Sequence, residues 1–216
     1  GTKPHQVEFT QTRLKELGKN QTFINTSIET IPKVEQAMDL LITGDVETGA
    51  VQEAMLPIKN FFSGVFGSEN PEVTQLQTIQ SISNVLAPKM RPKGSGSTSD
   101  MEFKAYQRSI ADLGNTPKAN YISLYTFKRM QENSAAMNRK EIEILTSGGD
   151  PDDVTDALKK MDKGLYAKYI GDPNSQDELD NWADSLPRGT VWYNRGTDGK
   201  KLIDGAPIFV IKGWGS

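Results

Sequence analysis

Apolar residues recur along most of this chain at steps of three and four, the spacing of one buried helical face. Val34, Ala37, Met38, Leu41 and Ile42 form such a face, closed by Gly44. Val51, Ala54, Ile58, Phe61, Phe62 and Val65 form another, bent or restarted at Pro57. Val73, Leu76, Ile79, Ile82 and Leu86 make a third, ended by Pro88. Val154, Leu158, Met161, Leu165 and Tyr169 give the cleanest stripe and predict one helix that carries all five. A longer helix is expected from Pro117 to about Thr146, roughly 40 Å at the helical rise. Its middle, "QENSAAMN", is polar for a packed monomer and suits solvent, a bundle neighbour or another subunit.

Helix starts carry their own punctuation. Thr30-Ile31-Pro32, Asn70-Pro71-Glu72, Thr116-Pro117 and Asp150-Pro151-Asp152-Asp153 each place a capping side chain just before a first-turn proline. There the missing N–H costs nothing and carboxylates suit the helix dipole. Ser99-Asp100-Met101-Glu102 and Ser175-Gln176-Asp177-Glu178 read as capping boxes. The end of the chain changes character. "GTVWYN", "KKLI" and "APIFVIK" are rich in β-branched and aromatic residues, with turns at Thr197-Asp198-Gly199 and Asp204-Gly205.

The predicted fold is therefore mainly α, a helical bundle with long helices and a small C-terminal antiparallel β meander. Its expected parts are an N-terminal helical region at 1–88, a linker at 89–98, a second helical region at 99–187 and the meander at 188–216. The linker reading rests on the prolines and small residues of "APKMRPKGSGST", residues 87–98.

Composition narrows the chemistry. The chain has 216 residues, a formal net charge of −3 and no cysteine. Thiolate catalysis, disulfides and cysteine-ligated metals are thereby excluded. The charge supplies no global pull toward nucleic acid or an anionic membrane. His5 is the sole histidine and lies near an apparent end, which argues against a histidine triad or a histidine-ligated metal. The opening "GTKPHQVEF" lacks an initiator Met, as expected of a processed or excised product.

The glycine-rich run from Gly94 to Ser99 invites comparison with a phosphate cradle, but no strand precedes it and Ser99-Asp100 stands where Lys-Ser/Thr would be needed. It reads as a joint leading into a helix. "GGDPDD", residues 148–153, lacks the order and closing Glu of a calcium loop and reads as a cap. No catalytic residue, cofactor site or metal site is expected. Two interaction patches stand out instead. Phe61, Phe62, Val65 and Phe66 spread around too much of a helix for a thin stripe, as core or as a contact surface. Lys89, Arg91 and Lys93 form a small basic patch suited to weak, nonspecific contact with DNA phosphates. Trp182, Trp192 and Trp214 are expected to anchor the small sheet.

Residues 90–120, "MRPKGSGSTSDMEFKAYQRSIADLGNTPKAN", resemble a stretch of tailed-bacteriophage virion proteins. The shared form is a basic-proline lead, a Gly-Ser-rich turn ending in Ser-Asp, an aromatic helix, a leucine-Asn-Thr-Pro step and a second long helix. "DSLPRGTVWYNRGTDGK", residues 184–200, is similar to their strand-turn ending. Lys118-Ala119 departs from a Glu-Gly pair common there. The resemblance covers the chain from residue 90 onward and contributes no catalytic residues. It implies a non-enzymatic internal or DNA-ejection protein, found in the virion and in the host cell during ejection. Its implied partners are further copies of itself and other virion proteins such as portal or tail components, with nonspecific DNA contact or membrane contact in addition. Two other readings stay open. One is a phage-borne cell-wall hydrolase using Glu102 or Glu178, and the other is a scaffold module binding a host or partner protein through 61–66 and the terminal sheet.

Overall fold

A computed structural model describes residues 3–44, 53, 56, 58–60, 63, 80–81, 97–114, 116–172, 174–196 and 208–215. The regular elements are α1 (Pro4–Ile28), α2 (Ile31–Thr43), α3 (Ser97–Leu113), α4 (Pro117–Thr146), α5 (Pro151–Met161), β1 (Ala167–Tyr169), α6 (Gln176–Asp184), β2 (Val191–Asn194) and β3 (Val210–Ile211). The fold is mainly helical with a small sheet near the C-terminus. Phe61, Phe62, Val65, Phe66, Lys89, Arg91 and Lys93 lie outside the described residues, as do the Asn70-Pro71 cap, all but Gln80 and Ser81 of the helix assigned to 73–86, and most of the linker.

Helix α4 is the spine. Thr116 caps it by accepting from the Ala119 amide at 3.2 Å, and Pro117 fills the first turn. Arg13 meets Glu141, Gln21 meets Asn138, Thr30 meets Gln131 and Glu35 meets Lys128. Numbers rise on one side as they fall on the other, so α1 and α2 run antiparallel to α4 in succession. Helix α1 covers the second half of α4 and α2 covers the first. The α1–α2 joint explains Thr30: it sits at the N-cap position, but its hydroxyl accepts from Gln131 Nε2 at 3.1 Å and makes no cap bond.

The polar middle of α4 is thus covered from within the chain. Gln131, Ser134 and Asn138 are buried. Asn138 Nδ2 donates to Gln21 Oε1 at 2.6 Å and to the Leu17 carbonyl at 3.4 Å. Of the three expectations for that segment, the bundle neighbour is the one found. This polar belt separates two apolar clusters. Leu17, Met137, Leu145, Val154 and Leu158 pack around the far end of α4. A larger core around its near end gathers Val34 and Met38 of α2, Phe103 and Tyr106 of α3, and Phe209 and Ile211 at the sheet.

Arg13 grips Glu141 with two bonds, Nε to Oε1 at 2.8 Å and Nη2 to Oε2 at 3.1 Å, and the Glu141 side chain is 7% exposed. The Glu141 bond raises the Arg13 pKa against the opposing effect of burial. Removing one partner of a buried pair strands the other charge. Arg13→Ala is expected to lower stability by about 2–3 kcal/mol, while Arg13→Met with Glu141→Leu recovers most of that loss. Urea denaturation of both variants checks it, and equal losses in the two would refute a buried pair.

The predicted stripe from Val154 to Tyr169 fails midway. Helix α5 ends at Met161, and Leu165 and Tyr169 belong to a loop and to β1. Asp162 accepts from the Gly164 amide at 3.0 Å in a turn that cannot continue the helix, and Gly164 follows with φ +82°. β1 then pairs in parallel with β2, and β2 pairs antiparallel with β3. The sheet is therefore mixed, its order β1-β2-β3, and the strand absent from the expected meander comes from the segment read as helix.

Aromatic rings fill the space between sheet and spine. Tyr166 lies 4.6 Å from Phe209 and 6.1 Å, nearly parallel, from Tyr125. Trp214 packs against Tyr121 of α4 at 5.6 Å, while on the opposite face of β2 Trp192 meets Trp182 of α6 edge-on at 5.4 Å. Burial pushes the phenols of Tyr121, Tyr125, Tyr166 and Tyr193 up from the ordinary range, with the Glu102 charge adding to the shift at Tyr193. A phenol with a raised folded-state pKa stabilises the fold fully below its unfolded value, about 10, and loses that contribution as pH climbs through the folded value. Base-induced unfolding is expected above about pH 10, with tyrosinate absorbance from these rings rising in step with loss of helical circular dichroism. Full tyrosinate formation on an intact helical protein would contradict it.

Candidate functional site

The sequence pattern Ser99-x-x-Glu102 is present, but it does not form a capping box. Helix α3 begins at Ser97, two residues before the expected cap. The Ser99 amide donates to Asp162 Oδ2 at 3.1 Å, and its hydroxyl donates to Asp162 Oδ1 at 2.5 Å. A carboxylate 63 residues away therefore serves the helix start, where the dipole favours negative charge. Glu102 points the other way, into the protein.

Glu102 is 0% exposed. Its Oε2 accepts from the Leu165 amide at 2.7 Å and the Tyr166 amide at 3.1 Å. Its Oε1 accepts from Lys168 Nζ at 3.0 Å and from the Tyr193 hydroxyl at 3.2 Å. Four donors on two oxygens take up the capacity of the carboxylate. They tie α3 to the 163–167 loop, to β1 through Lys168 and to β2 through Tyr193.

The same loop is held from its other side. Arg129 Nε donates to the Leu165 carbonyl at 3.3 Å, and Asn133 Nδ2 donates to the Gly164 carbonyl at 3.2 Å. Lys168 Nζ also donates to the Lys163 carbonyl at 2.9 Å. An irregular segment is thus clamped by Glu102 on its N–H side and by α4 on its carbonyl side. Tyr166 extends the clamp: the Thr126 hydroxyl donates to the Ile122 carbonyl, so the Tyr166 O–H donates to Thr126 at 2.6 Å.

In front of the clamped loop lies a cleft of about 580 Å³. Helix α2 contributes Glu35, Met38 and Asp39, and α4 contributes Tyr121, Tyr125, Lys128, Arg129 and Glu132. The 163–167 loop and the 188–190 turn complete it. Along the helical walls the charges are paired except at Asp39, which has no ion pair among the described residues. Lys128 meets Glu35 at 2.8 Å and Arg129 meets Glu132 at 2.7 Å. Burial opposes the Lys128 ammonium, but Glu35 and Glu132 outweigh it and raise its pKa.

Neither carboxylate named for a hydrolase lines this cleft. Glu102 is sealed behind it, and Glu178 is exposed on α6 with its Oε2 3.4 Å from the Tyr169 hydroxyl. The Ser175–Glu178 box does not form either, since Ser175 makes no side-chain cap bond. The Asp150 cap does form, accepting from the Asp152 amide at 2.9 Å. Among the described residues no three His, Asp or Glu side chains converge as a metal site, and no helix is long and apolar enough to cross a membrane.

Sequence reasoning singled out Glu102 but missed Asp162, Lys168, Arg129, Asn133 and the cleft. One local signal was readable. Asp162-Lys163-Gly164 directly after a helical run is turn chemistry, and it marks where the helical phase must break. No family model, curated protein or solved structure matches the chain.

Proposed function

We propose that the chain is a non-enzymatic structural protein of a tailed-phage particle, of the internal or DNA-ejection kind, working as an oligomer beside portal or tail components. Burial of Glu102, one of the two carboxylates named for a hydrolase, supports the non-enzymatic part. A general acid or base must reach its substrate and exchange a proton, whereas this carboxylate is fully buried and bonded to four donors within the chain. The virion part is supported by the resemblance of residues 90–120.

Self-association draws no support from the polar middle of α4, because α1 covers it. It rests on the resemblance alone. Mass spectrometry of sedimented particles tests the assignment. Peptides of this chain are expected to co-sediment with capsid and tail proteins through a density gradient, and their absence from intact particles would end the reading.

A further inference from the structure

The polar groups in front of the clamped loop have an arrangement that assembly does not require. We propose that the cleft between α2, α4, the 163–167 loop and the 188–190 turn binds an anionic polyol, a sugar acid or sugar phosphate of one or two rings.

Charge distribution is the first support. On the helical walls Lys128 pairs with Glu35 and Arg129 with Glu132, which leaves Asp39 as the one unpaired charge there among the described residues. Lys163 and Arg188 line the loop side, are exposed, and have no ion-pair partner among the described residues. Arg188 is carried on a packed stem, because a Cβ at Gly213 would meet its Cγ at 2.8 Å. Two cations in the lining of a concave site suit a carboxylate or phosphate. Asp39, exposed on the α2 wall, suits a hydroxyl as its donor.

The second support is the polarity of the interior. Tyr125 lines the cleft, and its phenol offers an O–H donor there. Asp39, Lys163 and Arg188 add further polar groups, while Met38, Leu165 and Ala167 supply modest apolar surface. A greasy ligand would strand these groups, whereas a ring of hydroxyls would satisfy them.

Rigidity is the third. A buried charge is a costly way to hold a loop, yet Glu102 fixes the Leu165 and Tyr166 amides while Arg129 and Asn133 fix the carbonyls. A floor fixed before binding removes an ordering cost that ligands otherwise meet.

Titration of the full chain with glucuronate, glucose 6-phosphate and glucose, followed by amide chemical shifts, tests the site. At least one anionic sugar is expected to bind saturably with Kd of about 1 mM or tighter, shifting the Gly164 and Leu165 amides, and glucose at least about tenfold more weakly. Binding of glucuronate alone makes the natural anion a carboxylate; binding of glucose 6-phosphate alone makes it a phosphate. Lys163→Ala and Arg188→Met, the second keeping the packed stem, are each expected to weaken binding at least about fivefold, with the thermal midpoint of the exposed Lys163→Ala variant unchanged. No saturable shift with either anion, or binding untouched in the double variant, would overturn the assignment. Sugar binding and incorporation into particles are read separately, so failure of one leaves the other standing.

Discussion

Glu102→Ala is expected to lower folding stability by about 3–5 kcal/mol, the loss seen when one partner of a buried ionic cluster is removed. The Leu165 and Tyr166 amides and the Tyr193 hydroxyl would lose this acceptor, and the Lys168 ammonium would lose its counter-charge and keep the Lys163 carbonyl. Lys168 is the most consequential of these, since its side chain is only 17% exposed. Glu102→Gln keeps the shape but offers one acceptor oxygen, and its NH₂ must face either the two amides or the ammonium and hydroxyl. It should cost about 2–3 kcal/mol. Lys168→Met added to Glu102→Leu should recover part of the alanine loss, because the stranded ammonium is gone. Urea denaturation with an unchanged m-value reads all three. A loss below about 1 kcal/mol for Glu102→Ala would mean that the carboxylate does not hold the layers together.

Gly164→Ala is expected to cost about 2–4 kcal/mol through two separate effects. Its φ of +82° is unfavourable for any residue with a Cβ. The added methyl would also overlap Glu102 Oε1 and lie 2.8 Å from Lys168 Nζ. Flexible side chains can normally step aside, but Glu102 is held by four bonds. The two effects separate in a double variant. With Glu102→Ala the carboxylate is gone and the end of the Lys168 chain is free to step aside, so the backbone strain dominates and the combined loss should fall short of the sum. Strict additivity would show that the methyl and the carboxylate do not meet.

What the sequence reveals depends on how far apart the deciding groups lie. The starts of α4 and α5 are legible because cap and proline are adjacent: Thr116 and Asp150 each serve an amide two or three residues onward. The buried face of α2 is legible for the same reason, since Val34, Ala37, Met38 and Leu41 all turn to one core. Local spacing misleads where a distant group outbids it. Ser99 and Glu102 have capping-box spacing, yet the Ser99 amide is served by Asp162, and Glu102 serves residues beyond Met161. Leu165 and Tyr169 continue a helical phase in sequence, but the amides of Leu165 and Tyr166 are claimed by Glu102. Residues 131–138 look too polar for a core because their partners, Thr30, Gln21 and Leu17, lie more than 100 residues earlier. The cleft is drawn from α2, α4, a loop and a turn, so no single window of sequence contains it.

Native-state hydrogen exchange at the Leu165 and Tyr166 amides probes the Glu102 clamp most directly. Both lie in an irregular loop between α5 and β1, where exchange would be fast if nothing but solvent met them. With Glu102 as acceptor, they are expected to exchange as slowly as the core amides of α4, and to lose that protection in a Glu102→Ala protein that remains folded. Rapid exchange of both amides in the unaltered chain would contradict a carboxylate committed to architecture, and would reopen Glu102 as a group free for chemistry.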